Sequence, residues 1–249
     1  MNRPVVMVTG GSRGIGAAVA VGAAAAGYDV VITWIADETA ALAVSGRIER
    51  EGGRALAVRC DVADEHQVLA AFSALDNTFG RLDALVNNAG VLAGGQDFAD
   101  YPTERIRRIL DVNVFGAMIV AREAARRMST RRAGSGGVIV NLSSAAARLG
   151  APGEYIDYAA SKGAIDTLTL GLAKELGNQG VRVNAVRPGL IETEIHASGG
   201  RPDRVRDLSH LVPMQRGGTA QEVADTILWL MSPRSSYVTG ALIDVGGGR

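Results

Sequence analysis

Tyr158 and Lys162 stand four residues apart in Tyr158-Ala159-Ala160-Ser161-Lys162. At that spacing both lie on one face of a helix. A free phenol has a pKa near ~10, too high for efficient proton exchange at neutral pH. A neighbouring ammonium favours the phenolate and brings the group toward the working range. The pair is therefore a candidate proton donor and acceptor, with Tyr158 as the acting group. Taken by itself, the pattern more often marks a packing tyrosine and a solvated lysine. Tyr155 has Ala159 four residues on and lacks an ammonium partner. Ser143 and Ser144 follow an apolar run, and either hydroxyl could hold a reacting oxygen.

A second constellation lies near the start of the chain. Val5–Val8 runs into Thr9-Gly10-Gly11-Ser12-Arg13-Gly14-Ile15-Gly16, and an alanine-rich stretch follows. A strand, a glycine turn and a helix start make an anion site. Gly10, Gly14 and Gly16 let the backbone approach a pyrophosphate, and the helix start offers free N–H groups. The plainer alternative is a tight turn without a ligand. No Gly-Lys-Ser/Thr follows, which argues against a P-loop. Cys60 is the only cysteine, and His66, His196 and His210 are scattered, so no metal site is expected.

The elements that must position these groups alternate. Short β-branched runs cover 4–9, Asp29–Trp34, 55–60, Ala84–Asn87, Gly137–Leu142, 181–186 and Leu242–Val245. Several are continuously apolar, as strands covered on both faces are. Helical stretches are predicted over 17–27, 38–52, 64–79, 103–128, 159–177 and 221–231. Seven strands separated by helices make a doubly wound α/β sheet with right-handed crossovers. No linker or repeat divides the chain, so residues 1–249 read as one domain. With 249 residues and 47% hydrophobic content it can bury a sizeable core. Aromatics are only 4%, so aliphatic and alanine packing must fill it.

Several function classes are disfavoured. Lys plus Arg number 26 and Asp plus Glu number 26, which leaves no electrostatic footprint for nucleic acid or an acidic membrane. No apolar run approaches the ~18–20 residues of a membrane span. The chain reaches Thr9-Gly10 too soon for a signal peptide. A soluble protein of the cytoplasm is expected. The basic cluster at 126–132 reads as a solvated helix end.

The spacing T-G-x-x-x-G-x-G resembles that of the short-chain dehydrogenase/reductase family, in its shorter-chain branch. Further motifs follow in the family's order. Asn87-Asn88-Ala89-Gly90 follows a strand, Asn113 sits in Asp111-Val112-Asn113-Val114, and Ser143-Ser144 ends a strand. Tyr158 to Lys162 matches Y-x-x-x-K, and Arg187-Pro188-Gly189-Leu190-Ile191-Glu192-Thr193 resembles P-G-x-x-x-T. The resemblance is similar to that of 3-oxoacyl-acyl-carrier-protein reductases and sugar dehydrogenases. It implies a Rossmann-type fold and hydride transfer between a nicotinamide cofactor and a carbonyl or secondary alcohol. By the same resemblance the working set is Asn113, Ser144, Tyr158 and Lys162. The family's alignment puts the functional serine second in the pair. Lys162 would also bind the nicotinamide ribose, and Asn113 would anchor a water passing protons from Lys162 to solvent. Without the resemblance, Asn113 reads equally well as an internally satisfied polar residue. Cofactor contacts are expected from Gly10, Ser12, Arg13, Gly14, Ile15, Gly16, Trp34, Asp61, Val62, Asn88, Ala89, Gly90, Tyr158, Lys162, Pro188, Gly189, Ile191 and Thr193.

Charge points to the phosphorylated nucleotide. NAD-preferring relatives usually end the second strand with an aspartate, where this chain has Trp34. Arg13 could grip a 2′-phosphate. NADP(H) is therefore favoured, with NAD(H) as the alternative. Asp37 reads better as a helix N-cap than as a ribose ligand, and Asp61 also reads as a strand-end cap. Substrate contacts are expected around 190–216 and 145–157, where Arg148, Tyr155 and His196 are polar candidates. The resemblance, an apolar last strand at a sheet edge, and Ile119, Val120, Leu168, Leu170 and Leu172 on long helices imply a homotetramer. The alternative function is a non-catalytic NADP(H) sensor, although such proteins often lose the tyrosine or lysine.

Overall fold

The computed structural model describes residues 3–249. Its first half alternates strictly: β1 (Val5–Val8), α1 (Gly14–Ala25), β2 (Asp29–Trp34), α2 (Glu38–Arg50), β3 (Ala55–Arg59), α3 (Glu65–Phe79) and β4 (Ala84–Asn87). Then come α4 (Thr103–Leu110), a π-helical segment (Asp111–Gly116), α5 (Ala117–Met128) and β5 (Gly137–Leu142). A short α6 (Ala146–Leu149) precedes the long α7 (Ile156–Leu176), and β6 (Val181–Pro188) follows. Beyond it lie β7 (Ile191–Glu192), α8 (Ile195–Ser198), α9 (Arg204–Leu208), β8 (Gly218–Thr219), α10 (Ala220–Met231) and β9 (Leu242–Val245).

Seven strands form one parallel sheet in the order β3-β2-β1-β4-β5-β6-β9. It is a doubly wound Rossmann-type sheet. The order reverses between β1 and β4, and such a switch point opens a crevice at the carboxyl ends of the strands. The alternation of side chains divides β1 between two cores. Val6 and Val8 join Val19, Ile48 and Ile227 on one face; Val5 and Met7 join Phe72, Leu75 and Met128 on the other. Both faces are buried, which is why β1 reads as an unbroken apolar run.

Small residues set the helix packing. A Cβ on Gly22 would meet Leu228 Cδ1 at 2.6 Å, so glycine lets α1 lie close against α10. Charged and polar caps set where helices begin. Asp37 accepts from Ala40 N at 2.8 Å to start α2, and Thr219 and Glu222 form a reciprocal capping box on α10.

Most element ends lie within two residues of the sequence expectation, and three differences are larger. The 103–128 helix is interrupted by the π-helical segment, which carries Asn113. Helix α1 begins at Gly14 rather than 17, and α7 at Ile156 rather than 159. Of the apolar residues expected on helix surfaces, Ile119 and Val120 are buried within the chain. Leu170 is exposed, Leu168 and Leu172 are half-buried, and Phe115 and Met118, not singled out from the sequence, are exposed as well. Strand β9 lies at the sheet edge, as expected.

Candidate active site

The glycine turn is built from both sides. Gly10 and Gly14 adopt φ of 64° and 54°, a region that side chains avoid. A Cβ on Gly16 would fall on the Gly10 carbonyl oxygen, so only glycine lets α1 start there. Gly11 N donates to Thr33 O at 2.9 Å and Gly10 N to Thr33 Oγ1 at 3.2 Å. From β4, Asn88 Nδ2 donates to Thr9 O at 2.8 Å and Gly10 O at 3.1 Å. Thr9 Oγ1 accepts from Asn88 N and Ala89 N, each at 2.9 Å. Asn88 and Ala89 thus brace the turn. Thr9, the first residue of the motif, is what they brace it with, while Thr33 of β2, which sequence reasoning passed over, holds Gly10 and Gly11 from the other side.

Tyr158, Lys162 and Ser144 converge at the wall of one cleft, with Asn88, Gly90, Pro188, Gly189, Ile191 and Thr193. Ser143 is turned away: its hydroxyl donates to Lys162 O at 3.1 Å. Ser144 Oγ accepts from Ala146 N at 3.1 Å and faces the phenol. The two serines are therefore not equivalent, a distinction the sequence alone left open.

Lys162 is buried, and its ammonium donates to Leu142 O at 2.6 Å. It stands 5.6 Å from the centroid of the Tyr158 ring. Burial pulls the ammonium down to about 8, against a smaller upward pull from Asp166. The phenol does not follow the sequence expectation. Burial pushes Tyr158 above its ordinary value, and the Ser144 hydrogen bond only partly opposes it. Desolvation penalises the phenolate more than the protein's own neighbours favour it.

Asn113 is held by three hydrogen bonds. Its Oδ1 accepts from Val91 N at 2.8 Å, and Nδ2 donates to Val91 O at 3.0 Å and Ser161 Oγ at 3.1 Å. Both amide hydrogens are spent, while Oδ1 keeps one lone pair. A Cβ on Gly90 would lie 3.3 Å from Asn113 Oδ1 and 3.5 Å from Lys162 Nζ. Glycine there keeps open the space between the two polar groups.

A groove continues from Asn88 and Gly90 past the glycine turn. Ser12, Arg13, Gly14, Ile15, Trp34, Asp61 and Val62 line it. Thr193 closes the turn from above, its Cγ2 lying 3.4 Å from where a Gly14 Cβ would be. Arg13 is exposed and forms no ion pair among the described residues. Asp61 has two structural partners: Oδ1 accepts from Ala63 N at 3.0 Å, and Oδ2 pairs with Arg108 at 3.0 Å. Arg108 lines the groove too, and no local motif marked it.

The glycine turn fits a dinucleotide. Its backbone is open where a pyrophosphate would lie, at the N-terminus of a 12-residue helix. The far end of the cleft fits a mostly apolar substrate. Leu92, Leu149, Leu208 and Leu211 line it with Tyr155, His196 and Arg204. Tyr155 packs edge-on to Tyr158 at 5.8 Å, and burial pushes its phenol up to about 12. Unlike Tyr158, it has no lysine one turn further along the helix, where Ala159 stands instead. His196 Nε2 donates to Ile191 O at 2.8 Å, and burial pulls its pKa down. Arg204 clasps Glu154 through both terminal nitrogens, at 2.5 and 2.7 Å. Arg148 instead points to Asp244, at 3.4 Å.

The profile of the family described as Enoyl-(Acyl carrier protein) reductase matches residues 10–249. An uncharacterized oxidoreductase of Escherichia coli strain K12 is 53% identical over 245 residues, 98% of this chain and 99% of that protein. The L-rhamnose 1-dehydrogenase (NAD(P)(+)) of Sphingomonas sp. strain SKA58 is 38% identical over 98% of this chain and 94% of its own. A short-chain type dehydrogenase/reductase from Mycobacterium marinum superposes with a TM-score of 0.92 at 35% identity, covering 98% of this chain and 94% of that one. The chain belongs to the short-chain dehydrogenase/reductase family and is an oxidoreductase of it.

Proposed function

We propose that the protein transfers hydride between NADP(H) and a carbonyl or secondary alcohol. One observation carries the reading: Tyr158, Lys162 and Ser144 share a cleft that runs on, through Asn88 and Gly90, into the glycine-turn groove. A relative named for NAD(P)(+) supports a nicotinamide cofactor. When bound, the nicotinamide supplies or accepts the hydride, and its oxidised ring adds a positive charge. Ser144 holds the carbonyl oxygen by a hydrogen bond. Tyr158 gives that oxygen its proton in reduction and takes it back in oxidation. Lys162 stabilises the phenolate so formed and holds the ribose. Asn113 Oδ1, across the gap at Gly90, places a water that renews the proton on Lys162. Residues 190–216 and the apolar wall of the cleft select the substrate.

Arg13, free of other charges, and Trp34, which repels no phosphate, support the phosphorylated nucleotide over NAD(H). A cytoplasmic location agrees with Cys60 being the one cysteine of the chain, which leaves no disulfide within it. No helix among the described residues is long and apolar enough to cross a membrane. The exposed Phe115, Met118 and Leu170, with edge strand β9, support a homotetramer.

A panel of ketones, aldehydes and sugar lactols, followed at the NADPH absorbance, tests the reaction. We expect turnover with at least one of them, and a loss of about 10²–10⁴-fold in kcat for Tyr158→Phe with the NADPH dissociation constant unchanged. A variant as active as the parent removes Tyr158 from the chemistry.

A further inference from the structure

The proposed relay leaves one buried charge unused. Asp166 lies four residues beyond Lys162 on α7, on the same face, and is only 8% exposed. Its Oδ2 accepts from Arg187 Nε at 3.1 Å and Nη2 at 2.8 Å. Its Oδ1 is buried with no hydrogen-bond partner among the described residues. An ionised carboxylate with a spare buried oxygen is costly unless its charge is used. Arg187 stands directly before Pro188 and Gly189, which line the catalytic cleft. Its other side reaches Asp244 of β9 at 3.9 Å, and Asp244 reaches Arg148 of α6 at 3.4 Å. Charges of alternating sign thus run from the catalytic helix, across two strands, to the segment that follows Ser144.

We propose that Asp166 is a positioning residue: it holds the buried Lys162 ammonium in its charged form and, through Arg187, ties α7 to the end of β6. The inference rests on the reading of Lys162 as the relay's ammonium. The groups around Lys162 fit it. From β5 comes the Leu142 carbonyl, from the π-helical segment the neutral Asn113, and from the loop after β5 the neutral Ser144. Tyr158 shares the helix. Arg187 of β6 is the nearby cation and is bound to Asp166, while Asp244 of β9 reaches Arg187 and not Lys162. Asp166 is buried with Lys162, one helical turn away on the same face of α7; it makes no ion pair with the ammonium among the described residues, so its charge acts through space and opposes the effect of burial there. Arg187 carries the same sign of charge as the ammonium and should act on Lys162 in the opposite sense to Asp166.

The test exploits the composition. The chain has two lysines, Lys162 and Lys174, and Lys174 is exposed. Lysine labelled with ¹³C at Cε gives two resonances to titrate by NMR in the free protein. Asp166→Asn keeps an acceptor for Arg187 and removes the charge. We expect it to lower the Lys162 midpoint by about one pH unit. Arg187→Gln should raise that midpoint, and Lys174 should not move in either variant. The NADPH dissociation constant of D166N should then weaken at a lower pH than that of the parent. An unchanged Lys162 midpoint in folded D166N overturns the proposal, as do shifts of the same sign in the two variants. Should D166N fail to fold, Arg187→Gln decides alone, and a midpoint that does not rise overturns it. The titration needs no substrate. Absence of turnover in the parent would undo the proposed reaction and leave this result standing.

Discussion

At the scale of single residues, the site sets two opposed demands on Lys162. Burial lowers its folded-state pKa to about 8, below the ~10.4 of an unfolded lysine. Below pH 8 the ammonium is charged in both states, and folding bears the full cost of burying it. Between pH 8 and ~10.4 the unfolded chain binds more protons than the folded one, so this contribution to stability rises with pH. Lys162→Met should therefore gain on the order of 1–3 kcal/mol over the parent at pH 7, with the gain fading by pH 10. Urea unfolding of both proteins at the two pH values checks it, and a pH-independent difference would refute the account. Arg13 makes a second residue-scale case. Arg13→Ala should lower an NADPH/NADH preference of about tenfold, worth ~1.4 kcal/mol, by weakening NADPH alone. Equal weakening of both nucleotides would show that Arg13 grips the pyrophosphate instead.

At the scale of elements, helix starts and interruptions do the positioning. Asp37 begins α2 as a cap, and its carboxylate is committed to Ala40 N. Asp37→Ala should cost about 1 kcal/mol of stability and leave the nucleotide preference unchanged. A changed preference, measured from the two dissociation constants, would make Asp37 a ribose ligand after all. The strands around the site were legible because both-face burial writes an unbroken apolar run, as in Val5–Val8. The glycine turn was legible because Gly10 and Gly14 need positive φ and Gly16 needs an absent side chain. The π-helical segment was not. Its residues keep a helical pattern, and only the contact of Gly116 with Val62 and the pairing of Asn113 with Val91 show why the helix must widen. Nor were Arg108, Asp166 and Arg187, since each acquires its partner from a distant element once the sheet order is set.

At the scale of the whole molecule, Phe115 and Met118 around the start of α5 and Leu170 of α7 are exposed apolar side chains that a partner copy would cover. Light scattering at micromolar concentration should give about four times the 25.8 kDa chain mass. A mass near that of one chain would refute the assembly. The mouth of the cleft carries a different consequence. Glu154 is held from two rims at once. Its carboxylate takes Arg201 and Arg204 from the 190–216 segment, and its carbonyl takes Gln96 N and the Tyr101 hydroxyl from the segment after β4. A rim fixed through one shared residue cannot peel open in pieces. The two segments should therefore open together, so hydrogen exchange should give their amides one shared opening free energy, and Glu154→Ala should split it into two.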